Sequence, residues 1–454
     1  MALVALLSGR QQDFAQTAAG EVGLITLDPG HFHAALFQKE ILPGVSRHAW
    51  VYAPLGPDLL AHLNRIAQFN ARSEKPTQWE LEIYSGPDFF ERLLRDRPGN
   101  VVVISGKNRG KIQRIETLVG AGLHVLADKP WLIEAADLPR LEATLDAAES
   151  KGVVAFDAMT QRFEITAILQ RALVGDPEIF GQPLTGSLDE PSVRLESFHY
   201  LLKTVAGVPG LRPAWFFDIR QQGEGLADVG THLADIVPWI LFPDQPIAVN
   251  ELELLRATRW PTMLSLEQFR KVTGENDIPD FVRNLLVEKR LPYFCNNTVS
   301  YRLRGIHVML SVRWGYEAEA GSGDTELAIF RGGKARVEMR QEREQNFRRE
   351  VYVVPVKPEH REEILVAVNK RLRAMASDYP GLLAARDGDR IRIEVPNSLR
   401  IGHEEHFALV VKRFLDYVHN PKSVPAWEKL NMIAKYYVTT KGVELARAHP
   451  SETH

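Results

Sequence analysis

The chain has 454 residues, 45% hydrophobic and 25% charged, which is the balance of a globular protein large enough for two cores. A formal charge of -3 gives no electrostatic case for nucleic acid or an anionic membrane, and neither is expected as a partner. The lone cysteine, Cys295, excludes internal disulfides and fits a reducing compartment, so the cytoplasm is the expected location.

Residues 1–20 read as a lead-in segment. Leu3 to Leu7 is apolar but short and has no charged stretch before it, so it makes neither a signal peptide nor a membrane span; export stays open if a natural leader precedes it. From Glu21 strands and helices alternate. Strands are expected over 22–27, 48–52, 80–84, 101–104, 123–127 and 153–156, with helices over 33–40, 57–71, 88–96, 111–119 and 136–149. That alternation predicts a doubly wound parallel sheet spanning 21–157. Beyond Asp157 the pattern changes. A helix over 163–173 leads into strands over 249–255, 298–303, 307–314, 325–330 and 334–339, a mostly antiparallel set, with Gly332-Gly333 turning the last pair. Two insertions are expected near 261–292 and 342–398, the second a strand-helix-strand unit, and helices over 406–418 and 426–446 close a second domain of 158–454.

Two stretches carry chemistry. In Gly223 to Asp235, a helix beginning after Gly225 sets Asp228, His232 and Asp235 in one row, while Leu226, Val229, Leu233, Ile236 and Ile240 form a separate apolar stripe. Pro238 should kink or end this helix near residues 234–237. Asp128-Lys129-Pro130 follows the strand over 123–127, at the carboxyl edge where open α/β sheets bind ligands. Taken singly, the first stretch also reads as a helix start with a core histidine, and the second as a solvated loop. Together they supply an ammonium, an imidazole and carboxylates suited to taking a proton from an alcohol: His232 as general base, Lys129 stabilising the developing oxyanion, Asp228 binding a neighbouring hydroxyl or orienting the imidazole, and Asp235 supporting it from the next turn.

The first strand ends in Asp28-Pro29-Gly30-His31. A G-x-G-x-x-G fingerprint aligned with Gly30 as its third glycine has Ile25 and Leu27 at the first two, so it is badly degenerate. A tight turn there would still aim the amides of His31 to His33 at a phosphate. Ala53 stands where an acid would hold the ribose hydroxyls, leaving Asp28 and Asp58 as substitutes.

Gly30-His31-Phe32-His33-Ala34, Asn108, Asp128-Lys129-Pro130 and Gly225-Leu-Ala-Asp228-Val-Gly230-Thr-His232-Leu-Ala-Asp235 together resemble the glucose-fructose oxidoreductase, inositol dehydrogenase and rhizopine catabolism (Gfo/Idh/MocA) family, in its branch with a long C-terminal domain. The resemblance implies a Rossmann domain followed by an α/β domain on a large, mostly antiparallel sheet. It implies NAD as cofactor, with NADP open, and hydride transfer at a ring hydroxyl of a sugar, cyclitol or glycoside. Lys129, Asp228 and His232 correspond to the catalytic residues. Asp28, Pro29, Gly30, His31, His33, Ser105, Asn108, Asp128 and Lys129 are the expected cofactor contacts.

Lys203, Arg212, Trp215, Asp218, Asp235 and His403 are the expected substrate contacts, and a homo-oligomer is expected. His403, Glu404 and His406 lack further ligands at a metal-site spacing, so no metal is expected. Three functions stay open: this oxidoreductase; an enzyme holding NAD tightly for transient oxidation and elimination; and a cofactor-free binding protein, for which the missing glycines argue.

Overall fold

The computed structural model describes residues 21–205 and 208–449. Strands β1 (Val22–Leu27), β2 (Val45–Tyr52), β3 (Glu80–Tyr84), β4 (Val101–Ile104), β5 (His124–Ala127) and β6 (Ala155–Asp157) form one sheet in the order β3-β2-β1-β4-β5-β6. Every neighbouring pair is parallel. Residues of β1 and β4 are buried throughout, as a parallel sheet covered on both faces requires, and hence their unbroken apolar runs.

Helices α1 (His33–Leu36), α2 (Pro57–Ala71), α3 (Phe89–Asp96), α4 (Lys111–Gly120) and α5 (Leu138–Lys151) connect these strands or cover their faces. The helix expected over 33–40 stops after a single turn. Beyond Leu36 the amides of Gln38 and Lys39 bond three residues back, and Trp79 Nε1 and Arg72 take the carbonyls of Gln38 and Lys39. These tertiary donors compete with the α-helical ladder.

The second half contains α6 (Ile165–Val174), β7 (Val193–Val205), β8 (Val208–Gly210), α7 (Ile219–Gln222), α8 (Gly225–Asp228), α9 (Gly230–Leu241), β9 (Leu252–Ser265), α10 (Leu266–Thr273), α11 (Asp280–Arg283), β10 (Arg290–Leu303), β11 (Ile306–Glu317), β12 (Thr325–Arg331), β13 (Ala335–Gln341), β14 (Glu350–Pro355), α12 (Arg361–Ala374), β15 (Leu383–Asp387), β16 (Arg390–Glu394), α13 (His403–His419) and α14 (Ala426–Ala448). Its ten-stranded sheet runs β15-β16-β14-β13-β12-β7-β11-β10-β9, with β8 paired to β7. Only β7 and β11 are parallel neighbours in that sheet; the other pairs are antiparallel. The central strand β7 falls where no strand is predicted. The unit expected over 342–398 gains one strand, because β15 and β16 form a hairpin that extends the sheet edge. Residues 266–289 bridge the long strands β9 and β10 and carry α10 and α11.

Helix α9 passes through Pro238 to Leu241, correcting the expected break, and Phe242 N donates to Pro238 O at 2.9 Å. Proline removes one amide from the ladder, and the tertiary packing of α9 against α6 and α14 outweighs that loss.

The last two helices return to the first sheet. Phe407, Val410 and Phe414 of α13 pack with Leu24, Phe37 and Val101, while Met432, Ile433 and Tyr436 of α14 pack with Val125 and Trp131. Tyr436 accepts from Trp131 N at 2.9 Å and donates to Asp157 Oδ2 at 2.7 Å. The carboxyl edge of the parallel sheet is thereby held against the second domain. Among the described residues no helix is long and apolar enough to cross a membrane.

Candidate active site

Lys129 lies just past β5, and its Nζ reaches across to Asp228, 2.6 Å from Oδ1 and 3.2 Å from the backbone carbonyl. Both side chains are only 12% exposed. Burial opposes charge on each, yet the pair prevails: Asp228 and Asp128 hold the Lys129 pKa above its usual value, and Lys129 holds Asp228 below. The segment carrying Asp228 docks closely on β10. A Cβ on Gly225 would lie 1.9 Å from the Cys295 carbonyl oxygen, so only glycine permits this approach, and Leu226 N bonds Asn297 Oδ1 at 2.9 Å.

One turn further on, His232 is half-buried, and its Nδ1 is enclosed without a hydrogen-bond partner among the described residues. Burial pushes its pKa well below the usual value and the nearby Lys129 charge adds to this, so the ring is neutral at neutral pH. Lys129, Asp228 and His232 all border one cavity of about 900 Å³ between the domains.

The β1–α1 turn keeps only part of the phosphate cradle expected of it, the amides of Phe32 and His33. Gly30 N and His31 N donate to Ser105 O at 2.8 and 3.1 Å, which diverts the His31 amide from any ligand. Asp28 adopts φ 47° and its carboxylate is taken by Arg114 Nη1 at 2.6 Å. A Cβ on Gly106 would come within 2.7 Å of Asp28 O, so this glycine lets the β1 and β4 turns touch. Asp28, Pro29, Gly30 and Ser105 stand behind the cavity wall, whereas His31, His33, Asn108 and Asp128 border it. Asp128 Oδ2 accepts from Ser105 Oγ at 2.9 Å and faces Nδ1 of His33 and His31 at 2.9 and 3.1 Å. His33 Nε2 meets His403 Nε2 at 2.7 Å. Burial lowers the pKa of His33 to about 3 and of His403 to about 4.

Lys111, the first residue of α4, also contributes, although nothing in the sequence singles it out. It is 2% exposed, and its Nζ bonds Asn108 Oδ1 at 2.6 Å and the Asp128 carbonyl at 2.8 Å, so it braces the strand end that presents Lys129. Burial lowers its pKa to about 8. Asn108 in turn donates to Gln222 O at 2.7 Å, linking the two domains.

On the opposite wall, Arg212 bonds Leu201 O at 2.7 Å and lies between Phe216 and Trp314, 4.8 and 5.1 Å from the ring centroids. Lys203 reaches the cavity paired with Asp324, and the Trp215 ring borders it beside the β1 turn. Two expected contacts lie elsewhere. Asp218 is buried, caps α7 through Arg220 N at 3.0 Å and pairs with the Arg220 side chain. Asp235 does not support His232: it is clamped by Arg162, with two contacts of 2.6 Å, and by Lys435 at 3.2 Å. The intervening turn aims its carboxylate away from the cavity and toward α14.

A parallel sheet presenting a lysine at the carboxyl end of its fifth strand, met by an aspartate and a histidine from a domain on an open, mostly antiparallel sheet, is the two-domain architecture that the resemblance to the Gfo/Idh/MocA family implies. Residues 169–447 match the family described as "Putative oxidoreductase C terminal domain", and the chain belongs to that family. It is 42% identical to a putative oxidoreductase from Parabacteroides merdae of known crystal structure, with a TM-score of 0.90 over 94% of this chain and 98% of that one. Levoglucosan dehydrogenase in complex with NADH and L-sorbose shares the fold at 14% identity, with a TM-score of 0.58 over 95% and 98% of the two chains. A 3-ketoreductase from Actinomadura kijaniata in complex with NADP does so at 14% identity and a TM-score of 0.55, over 95% and 99%. No curated protein matches the chain by sequence.

Proposed function

We propose that this protein interconverts a ring hydroxyl and a ketone on a sugar, cyclitol or glycoside, with NAD or NADP as hydride partner. The observation that carries this reading is the convergence of the Lys129 ammonium and the His232 imidazole on one cavity. The sugar ligand and nicotinamide cofactors of the two dehydrogenase relatives support the class of reaction.

A dinucleotide fits this crevice differently at its two ends. At the reactive end, a volume of about 900 Å³ accommodates a large ligand, and Lys129 and His232 offer a donor and an acceptor. At the phosphate end the amides of Gly30 and His31 are engaged, so the amides of Phe32 and His33, together with nearby side chains, would hold the phosphates. Arg65, standing 5.9 Å over the Phe32 ring at the cavity margin, is a cation suited to this. The nicotinamide, when bound, supplies the hydride acceptor or donor.

The chain's own groups handle the proton. Neutral His232 accepts the hydroxyl proton at Nε2, the ring nitrogen that is not enclosed, and Lys129 donates a hydrogen bond to the same oxygen as negative charge develops there. Asp228 keeps Lys129 charged and fixed; this is its role here, in place of the expected orientation of the imidazole. Trp215, Arg212 and Lys203 would meet the remainder of the ring and its substituents. A second reading, in which no nucleotide binds, is favoured only by the engaged amides of Gly30 and His31.

Thermal unfolding of the purified protein with NAD and with NADP separates these readings, because a ligand that binds only the folded state raises the midpoint. A rise with either nucleotide, or nucleotide absorbance released on denaturation, is expected. No rise and no released nucleotide would replace this proposal with the second reading.

A further inference from the structure

We infer that His31, His33 and Asp128 form a binding site for a divalent first-row transition ion. The site goes beyond the nucleotide reading and holds whether or not a nicotinamide binds. One ligand atom from each residue lies within 4.8 Å of the others, and all three side chains border the cavity. His31 comes from the turn after β1, His33 from the first residue of α1 and Asp128 from the end of β5, so the set sits at the carboxyl edge of one sheet.

The Asp128 carboxylate is the telling group. The residue is 7% exposed, yet no ammonium or guanidinium of the described residues contacts its carboxylate: Lys111 bonds its backbone carbonyl and Lys129 pairs with Asp228. Oδ2 faces Ser105 Oγ and two imidazole nitrogens, while Oδ1 is enclosed with no partner among the described residues. An anion this buried calls for a compensating cation. A bound divalent ion would supply it directly, with the carboxylate and two imidazole lone pairs as ligands.

The surroundings fit that assignment. With Nδ1 on the ion, His33 would carry its proton on Nε2 and donate it to His403 Nε2, 2.7 Å away, an outer contact of the kind that fixes the tautomer of a ligating histidine. Ser105 Oγ would orient the carboxylate in the same way. Two imidazoles and one carboxylate suit zinc, iron, cobalt or manganese better than calcium or magnesium, which prefer all-oxygen sets. The coordination positions left over open on the cavity beside Lys129, where a water or substrate oxygen would complete the shell.

The test uses tag-free, full-length protein stripped with a chelator, titrated with cobalt(II) chloride and followed by visible absorption. Zinc retained after gel filtration is measured in parallel. The site predicts one ion per chain, loss of the cobalt spectrum and of retained zinc in His31→Ala and Asp128→Asn, and binding weakened by about 10- to 100-fold in His403→Ala. The His31 side chain is 39% exposed, so its alanine variant remains a folded probe even if Asp128→Asn fails to fold. Absence of retained metal in the parent protein, or full occupancy in folded His31→Ala, would overturn the assignment. Nucleotide is absent from this experiment, so its failure leaves the proposed oxidoreductase chemistry standing, and the reverse also holds.

Discussion

Replacing Arg162 with methionine removes the guanidinium at the centre of a buried ion cluster behind the candidate active site. Arg162 clamps Asp235 with two contacts of 2.6 Å and Glu428 with contacts of 2.7 and 2.9 Å. Lys435 completes the cluster, 2.9 Å from Asp157 and 3.2 Å from Asp235. Burial opposes charge on Asp235, but Arg162 and Lys435 bring its pKa from 3.8 to about 2. That depression contributes roughly 2 kcal/mol to stability at neutral pH. The contribution is present above pH 3.8 and is lost as pH falls toward 2. Losing Arg162 leaves Glu428 without a partner in the cluster and Asp235 with only Lys435, so the cost expected is that of breaking a buried pair, about 3–5 kcal/mol. Urea unfolding followed by tryptophan fluorescence, at neutral pH and near pH 3, measures both effects. Wild type should lose part of its stability at the lower pH, and Arg162→Met should start lower and lose less. A variant within about 1 kcal/mol of wild type at neutral pH would refute the reasoning, since that is the scale of an exposed ion pair.

Three further outcomes are expected. His232→Ala should lower turnover by about 100-fold or more while nucleotide affinity, measured by calorimetry, stays near that of wild type. Lys129→Met should lower turnover by about 100- to 1,000-fold, because it removes the donor to the developing oxyanion; it also leaves Asp228 buried without its cation, so a lower thermal midpoint should accompany the loss. Gly225→Ala should destabilise the fold by about 1–3 kcal/mol or more, since its methyl would meet the Cys295 carbonyl at 1.9 Å; a midpoint unchanged from wild type would contradict the close approach.

The legible parts of this molecule are local. Apolar runs such as 101–104 announce buried parallel strands, and Asp128-Lys129-Pro130 follows such a run, so both the sheet and the placement of Lys129 could be read directly. The spacing of Asp228 and His232 was also short-range, although the one helix expected there is divided into α8, which ends at Asp228, and α9, which begins at Gly230. What sequence reasoning missed depends on distant partners. Strand β7 mixes Arg194, Glu196 and His199 with apolar residues, and its strand pairing comes from β11 and β12, far along the chain. Asp235 seemed one turn from the chemistry until Arg162, 73 residues earlier, and Lys435, 200 later, drew it away. The meeting of His33 with His403 spans 370 residues, and no spacing rule reaches that far. The burial of Lys111 has no sequence signal, because its partners are a side chain and a carbonyl that only the folded chain brings together.

The measurement that bears most directly on the central claim is a crystal structure of the protein with NAD and a bound sugar. The account predicts one sugar oxygen within hydrogen-bonding distance, about 2.6–3.2 Å, of both Lys129 Nζ and His232 Nε2, with the nicotinamide ring against the same carbon. A sugar seated elsewhere, or a nicotinamide that cannot approach the carbon between those two side chains, would contradict it.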